Sequence, residues 1–212
     1  MRRYTEGSVE CMLKTGNFSR VSSLLDIGCG SGEDIAHVEA ASGIKMFGFD
    51  KDEARIEEGW RRNPRALLRV ADAEEQNYMD KSFDGILMKR VLSEINAQKE
   101  ALYLARCALR EHGLLFIADY YLRLEESGVI LAAQRLAADG DKDAFLHGNC
   151  ETRRRKRPSH YCVGRAFVKG SLLKLLDEVG LRLISWEDAS HWPESGSLDF
   201  QEGYFFLTAG RK

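Results

Sequence analysis

Residues Leu24–Gly32 read LLDIGCGSG, and this stretch decides the fold. An apolar run delivers Asp26 into a turn with three glycines, Gly28, Gly30 and Gly32, and a helix-like segment follows. Glycine permits positive φ and leaves no Cβ between the main chain and a ligand. The N–H groups at the start of the following helix lack intrahelical partners. The segment therefore predicts a ligand-binding loop between the first strand and the first helix of an α/β domain.

The spacing of these glycines separates two classes of cofactor. A dinucleotide fingerprint is G-x-G-x-x-G, with the third glycine three residues after the second. Counted from Gly30, that position holds Glu33, whose carboxylate would repel a pyrophosphate. The loop suits a cofactor that has no phosphate and carries an ammonium group, which disfavours an NAD-linked oxidoreductase.

Strand-like and helix-like segments alternate around this loop. Short apolar runs bounded by Gly, Asp or Asn predict strands, at Val21–Ile27, Ile44–Phe49, Ala66–Val70, Phe83–Met88 and Gly113–Tyr121. Apolar spacing and end signals predict helices, at Glu33–Ser42, Asp52–Arg62 and Gln98–Arg110. This alternation predicts a doubly wound, Rossmann-like α/β domain with a mostly parallel sheet.

The end of the chain departs from the alternation. A predicted helix at Ser171–Val179 is followed by two β-rich segments, Leu181–Glu187 and Gly203–Ala209, with no helix between them. We expect these two segments to form an antiparallel pair that closes a seven-stranded sheet whose last strand is antiparallel.

Two further regions complete the expected single domain of residues 1–212. Residues 123–167, with a predicted helix at Val129–Ala138, are interpreted as an insertion over the carboxyl ends of the strands. Ligands bind at that end of open α/β sheets. Residues 1–20 are expected to act as an N-terminal lid.

The glycine loop resembles the first motif of the class I S-adenosylmethionine (SAM) dependent methyltransferases, in particular their type 11 group. The resemblance implies that Asp26, Gly28, Cys29 and Gly30 hold the amino acid end of SAM, and that S-adenosylhomocysteine (SAH) is the product. It continues along the chain to the segment LREHGLLFIAD, which ends at Asp119.

The resemblance also assigns the nucleoside half of SAM. Asp50 falls at the family's acidic position for the two ribose hydroxyls, and a carboxylate can accept both hydrogen bonds. Lys51 would pack beside the adenine, Asp72 would accept from its amino group, and the Ala73 N–H would serve a ring nitrogen. Lys89, at the end of the fourth strand, is added to these cofactor residues.

The methyl acceptor is expected beside the fourth and fifth strands. Methyl transfer needs alignment and a dry site more than a base, so the catalytic residue is unknown. The candidate side chains near the acceptor are Lys89, Arg90, Tyr120, Tyr121 and Arg123. The tyrosines could instead pack in the core, and Lys89 and Arg90 could form ion pairs with nearby acids.

The insertion contains His147, Cys150, His160 and Cys162. Their spacing matches no common zinc signature, so no metal site is predicted. The stretch around Cys150 distantly resembles the arsenite methyltransferase branch, whose thiolates hold a metalloid beside SAM. Cys150 is therefore a candidate substrate residue, and the alternative is a polar lid with half-buried thiols.

Composition limits the partners. The formal charge of −2 does not favour nucleic acid or an anionic membrane, and no apolar run reaches the about 20 residues of a membrane helix. Five cysteines without CxxC, and an N-terminus without an apolar stretch, indicate a cytoplasmic protein. The expected function is methylation of a small molecule, and the oligomeric state is unknown. RNA or protein methylation through the basic run 153–157, and a non-catalytic SAM-binding subunit, remain alternatives.

Overall fold

The structure is a computed structural model that describes residues 9–10, 12–14, 18–75, 81–122, 149–151, 165–188 and 202–212. Within these residues the strands are β1 Ser23–Ile27, β2 Lys45–Asp50, β3 Leu67–Val70, β4 Phe83–Lys89, β5 Leu109–Leu122, β6 Asn149–Glu151, β7 Arg165–Val168, β8 Leu181–Asp188 and β9 Glu202–Arg211. The longer helices are α1 Glu33–Ser42, α2 Glu53–Arg62, α3 Gln98–Ala108 and α4 Lys169–Glu178. Short 3-10 turns lie at Phe18–Arg20 and Leu92–Glu94.

Seven of the strands form the predicted doubly wound sheet, in the order β3-β2-β1-β4-β5-β9-β8. Strands β1 to β5 are mutually parallel where they pair. Strand β9 runs antiparallel to both β5 and β8. The predicted antiparallel pair at the end of the chain is thereby confirmed.

The winding direction reverses at β1. In this strand Asp26 pairs with Gly48 of β2 on one side and with Leu87 of β4 on the other. A crevice opens outside the carboxyl ends of the strands at such a switch point, and ligands of open α/β sheets bind there. The fold therefore places the glycine loop at the position where a ligand is expected.

Strand β5 begins earlier than its apolar run predicts. Helix α3 ends at Ala108 rather than Arg110, and Leu109 already pairs with Phe83. The register then shifts, so that Gly85 lies opposite Leu114. The polar residues 110–113 are accommodated as an irregularity within the strand, because extra residues in a ladder can bulge without ending it.

Two additional strands lie in the region interpreted as an insertion. Strand β4 pairs with β5 as far as Ala118, whereas β7 pairs with Tyr121 and Leu122. Since β9 occupies the other side of β5 along this length, β7 continues the line of β4 beyond its end. Strand β6 then pairs antiparallel with β7. The predicted helix Val129–Ala138 lies outside the described residues.

Both faces of the sheet are covered. Helices α3 and α4 pack on one face, and helices α1 and α2 pack on the other. The second face also receives Val9, Met12 and Phe18, all buried, with the Phe18 ring 6.1 Å from that of Phe116. The described part of residues 1–20 is therefore anchored in the core, and a lid function for this region stays a prediction. Among the described helices, none has the length and apolar character that crossing a bilayer requires.

Candidate active site

The loop after β1 depends on three glycines in the left-handed region. Gly28, Gly30 and Gly32 have φ angles of 74°, 55° and 75°. The N–H groups of Gly28 and Cys29 donate to the Phe49 carbonyl at 2.8 and 3.0 Å. The loop is thus fastened to the end of β2, and its path is one that side chains with a Cβ rarely follow.

Two of these positions also differ in the space around them. A Cβ on Gly28 would lie 2.3 Å from Cγ2 of Val91, in the segment after β4. A Cβ on Gly30 would meet Arg55 Nη1 at 3.3 Å, the end of a flexible side chain. Gly28 is therefore required by packing as well as by φ, whereas Gly30 has more open surroundings.

The Asp50 carboxylate joins the loop to the β2–α2 turn. Its Oδ2 accepts the Gly30 N–H at 2.8 Å, and its Oδ1 accepts the Asp52 N–H at 2.9 Å. A carboxylate offers about four lone-pair positions, so both oxygens can still accept hydroxyl hydrogen bonds. Asp50 is partly exposed, and Lys51 beside it is exposed.

A cluster of buried charges lies beneath the loop. Lys89 Nζ contacts Asp34 Oδ1 at 2.8 Å, with the two side chains only 3% and 15% exposed. Asp26 is also buried, and its Oδ2 has no hydrogen-bond partner. Burial, foremost, and the neighbouring Asp34 and Asp50 raise the pKa of Asp26, whereas Lys89 opposes this shift. The cluster therefore holds two carboxylates and one ammonium away from water.

Asp34 is a site residue that the sequence reasoning missed. For Lys89 the structure shows the ion pair that was one of its three expected roles. A lysine that ends an apolar strand needs an anionic partner if it is buried. That requirement, applied to the first turn of α1, could have identified Asp34.

The Cys29 side chain points into packed surroundings. It is buried, its thiol donates to the Gly30 carbonyl at 3.7 Å, and a Cβ on Gly48 would lie 2.8 Å from its sulfur. Burial, with smaller contributions from Asp26 and Asp50, raises the pKa of the Cys29 thiol far above its usual range. Burial therefore favours the neutral thiol over the reactive thiolate, and a role for Cys29 in cofactor binding stays a prediction.

Asp72 and Ala73 form the turn after β3. Asp72 Oδ1 accepts the Glu74 N–H at 2.9 Å, and Ala73 is buried. The preceding Ala71 N–H donates to the Asp50 carbonyl at 3.0 Å. The two acidic residues expected to bind the nucleoside therefore follow neighbouring strands at the same edge of the sheet.

Arg90 begins the opposite wall of the crevice. It is exposed and has a φ of 52°, and its N–H donates to the Ala118 carbonyl at 2.8 Å. Nearby, the Ser93 N–H donates to Oδ2 of the fully buried Asp119 at 3.0 Å. A non-glycine residue in the left-handed region is uncommon and occurs often at functional sites.

The remaining substrate candidates are described through their backbones alone. Tyr120 pairs with Tyr204 in β9, and Tyr121 pairs with Phe167 in β7. Cys150 lies in β6, two strands from β5 and hence about 10 Å away from it. His147, His160, Cys162, Arg123 and the basic run 153–157 lie outside the described residues. Within the described ranges, no group of three His, Cys, Asp or Glu side chains is arranged to hold a metal ion.

Part of the chain, including this site, is similar to a known domain family. Residues 25–117 match the family model described as a methyltransferase domain. The matched range includes the glycine loop, Asp50, Asp72 and most of β5.

Relatives and solved structures agree with this match. A 27-O-demethylrifamycin SV methyltransferase from Amycolatopsis mediterranei (strain S699) is 29% identical over 123 residues, which cover 55% of this chain and 45% of the relative. The chain thus spans about half the length of that curated relative. A Burkholderia thailandensis 1,6-didemethyltoxoflavin-N1-methyltransferase, solved with 1,6-didemethyltoxoflavin and SAH, has a TM-score of 0.68 at 17% identity, covering 100% of this chain and 80% of its own. The cyclase SpnF has a TM-score of 0.65 at 18% identity, covering 90% of this chain and 75% of its own.

Proposed function

We propose that this chain, which matches the methyltransferase domain over residues 25–117, is a class I SAM-dependent methyltransferase that binds SAM beside β1 and transfers its methyl group to a small molecule. The observation that carries this proposal is the left-handed glycine loop, whose Gly30 N–H is tied at 2.8 Å to Asp50. The glycines leave no Cβ between the loop's main chain and an amino acid, and Asp50 lies where it can accept from a ribose.

The donor set fits SAM. The unpartnered, buried Oδ2 of Asp26 is an acceptor that lacks a cation, and the amino acid end of SAM carries an ammonium group. An orphaned buried carboxylate oxygen is costly unless a donor meets it. Asp50 then receives the ribose hydroxyls, while Lys51, Asp72 and Ala73 surround the adenine.

The chain's own residues mainly align the reactants. SAM supplies an activated methyl group on a sulfonium, so the protein has to orient an acceptor and exclude water. Arg90, Tyr120, Tyr121 and Cys150 are the proposed acceptor residues, because Arg90 directly follows β4 and the others lie in β5 and β6. The pairing of β7 with β5 beyond the end of β4 supports an acceptor position on that side of the sheet.

The test compares variants of two aspartates that are two positions apart, Asp50 and Asp52. Asp50→Ala removes the proposed ribose acceptor, and hydrogen bonds to a charged group are worth about 1.5–3 kcal/mol, so SAM affinity should fall about 10- to 100-fold. Asp52→Ala is the control, because the Asp52 side chain caps α2 by accepting from the Arg55 N–H. Calorimetric titration of both folded variants decides the matter. Equal SAM affinity in the parent and in Asp50→Ala would remove the proposed role of this carboxylate.

Binding of SAM does not by itself demonstrate methyl transfer. The cyclase SpnF shares this fold, so the activity assay must detect SAH formed in proportion to a methylated acceptor. The small-molecule class is supported by the rifamycin and toxoflavin methyltransferases that the chain resembles. SAM binding without turnover on any acceptor, together with a stable complex with another protein, would instead favour a SAM-binding subunit.

We also propose a cytoplasmic location, supported by the two free thiols among the described residues, Cys29 and Cys107. RNA methylation through the basic run 153–157 is the remaining alternative. It predicts that binding to RNA weakens steeply with salt, because phosphate contacts release counterions.

A further inference from the structure

The buried charges under the glycine loop are unequal in number. Asp26 and Asp34 provide two carboxylates, and Lys89 provides one ammonium that contacts Asp34 at 2.8 Å. Asp26 and Lys89 are buried, the Asp34 side chain is 15% exposed, and Oδ2 of Asp26 has no hydrogen-bond partner. With both carboxylates ionised, the cluster lacks one positive charge.

We propose that Lys89 and Asp34 are a positioning pair: Asp34 holds the Lys89 ammonium away from Asp26, so that Asp26 stays free for the ammonium of an incoming ligand. This inference rests on the proposed SAM site and adds to it two residues that need not touch the ligand. The positive charge of Lys89 acts on Asp26. Because Asp34 binds the Lys89 ammonium, Asp34 determines how strongly that charge acts on Asp26.

The three charged side chains come from three different elements of the fold. Asp26 is the penultimate residue of β1, Lys89 ends the neighbouring β4, and Asp34 lies in the first turn of α1. The ion pair connects the end of β4 to the start of α1. Asp50, from β2, is the other charged group that acts on Asp26. A change in the Lys89–Asp34 pair consequently alters the cavity for the ligand ammonium before it alters the nucleoside contacts.

The test uses Asp34→Asn and three ligands. Without the Asp34 charge, the Lys89 ammonium should turn to Asp26 and compete with the ligand ammonium. Calorimetry should then show SAM and SAH binding weakened about tenfold, the effect of one charged hydrogen bond. The third ligand, 5′-methylthioadenosine at millimolar concentration, shares the nucleoside and lacks the amino acid. Its affinity should stay within about twofold of the parent value, because it does not meet Asp26.

Two further variants separate positioning from simple damage. The double variant Lys89→Met with Asp34→Asn removes the pair as a unit and should bind SAM more tightly than Asp34→Asn alone, because no lysine then competes for Asp26. Asp84→Asn is the matched control, because it breaks an ion pair of 2.7 Å to Arg110 at the other end of β4, with the Asp84 side chain 19% exposed. It should leave all three affinities unchanged at temperatures where the protein is folded.

The outcomes distinguish failure of the proposed SAM site from failure of the proposed positioning role. Failure of the folded parent to bind SAM would overturn the proposed function. If the parent binds SAM but Asp34→Asn weakens all three ligands equally, or weakens none, the positioning role is wrong. Selective loss of SAM and SAH with recovery in the double variant is the result that we expect.

Discussion

At the scale of single residues, two glycines adopt the same left-handed φ angle for different structural reasons. Gly28 and Gly43 have nearly equal φ angles, 74° and 71°. A Cβ on Gly28 would lie 2.3 Å from Val91, whereas a Cβ on Gly43 would meet nothing within 4 Å. Gly43 simply ends α1, and Gly28 allows the loop to approach the segment after β4.

The two glycines therefore give a matched pair of variants. Gly43→Ala should cost about 1–2 kcal/mol of unfolding free energy, the usual cost of a left-handed alanine. Gly28→Ala should cost about 1–3 kcal/mol more, because it adds overpacking to that strain. Urea unfolding followed by fluorescence measures both. Equal losses would show that Val91 yields without cost and that the close packing is unimportant.

Asp84 provides a pH-dependent stabilisation at the amino end of the sheet. It accepts hydrogen bonds from Ser22 and Ser23 and pairs with Arg110. Burial alone would raise the pKa of Asp84, but the bonds from Ser22 and Arg110 lower it to about 2. A carboxyl whose folded pKa is depressed stabilises the protein above its unfolded pKa of about 3.9 and loses that effect as the pH falls towards 2.

Asp84→Asn should accordingly lower the unfolding free energy by about 1–2 kcal/mol at pH 7. The difference between parent and variant should shrink between pH 4 and pH 2, as the parent's carboxyl takes up a proton. Denaturant midpoints measured across this range test the sign. A difference that stays constant down to pH 2 would contradict it.

At the scale of elements, the predictable parts are those that local sequence determines. Strands of a parallel sheet are buried on both faces and read as continuous apolar runs, so β1, β2 and β4 were recognisable. The start of β5 was not, because Glu111 and His112 interrupt its apolar pattern while its register with β4 continues across them. Strand β6, with the sequence NCE, has no apolar run and depends on its pairing with β7.

The candidate site shows the same division. The glycines and the acidic residues that follow β2 and β3 were predictable, because their positions are set by strand ends. The Lys89–Asp34 pair was not, because the two residues are 55 positions apart and meet only when α1 packs on the sheet. Contacts of this kind depend on tertiary packing and leave no periodic signal.

The N-terminal segment supplies a prediction at this scale. Phe18 is buried against Phe116, although it lies outside the alternating strands and helices. Phe18→Ala should cost about 3–5 kcal/mol, the usual cost of truncating a buried aromatic residue. Tyr103→Ala, at a side chain with 53% exposure, is the control and should change stability by less than about 0.5 kcal/mol. If both variants are equally stable, this segment is not part of the core.

At the scale of the whole molecule, the sheet brings the ends of β1, β2, β3 and β4 to one edge. Residues far apart in sequence, Asp26, Asp50, Asp72 and Lys89, thereby lie at or near the carboxyl ends of adjacent strands. A ligand that contacts several of these ends should stabilise the entire fold, since it binds only when they are assembled.

This coupling predicts a thermal shift. At a SAM concentration of 100 times the dissociation constant, binding adds about 2.7 kcal/mol to the unfolding free energy. For a domain of this size the melting temperature should rise by about 5–10 °C. Calorimetric melting with and without ligand measures the rise. An unchanged melting temperature at saturating SAM would mean that no such site exists in the folded state.

The most direct test of the proposed SAM site is calorimetric titration of the parent protein with SAM, with NAD as the control. We expect SAM to bind at one site per chain and NAD not to bind, because the loop has Glu33 where a dinucleotide loop has its third glycine. A folded protein that binds NAD and fails to bind SAM would contradict the proposed function.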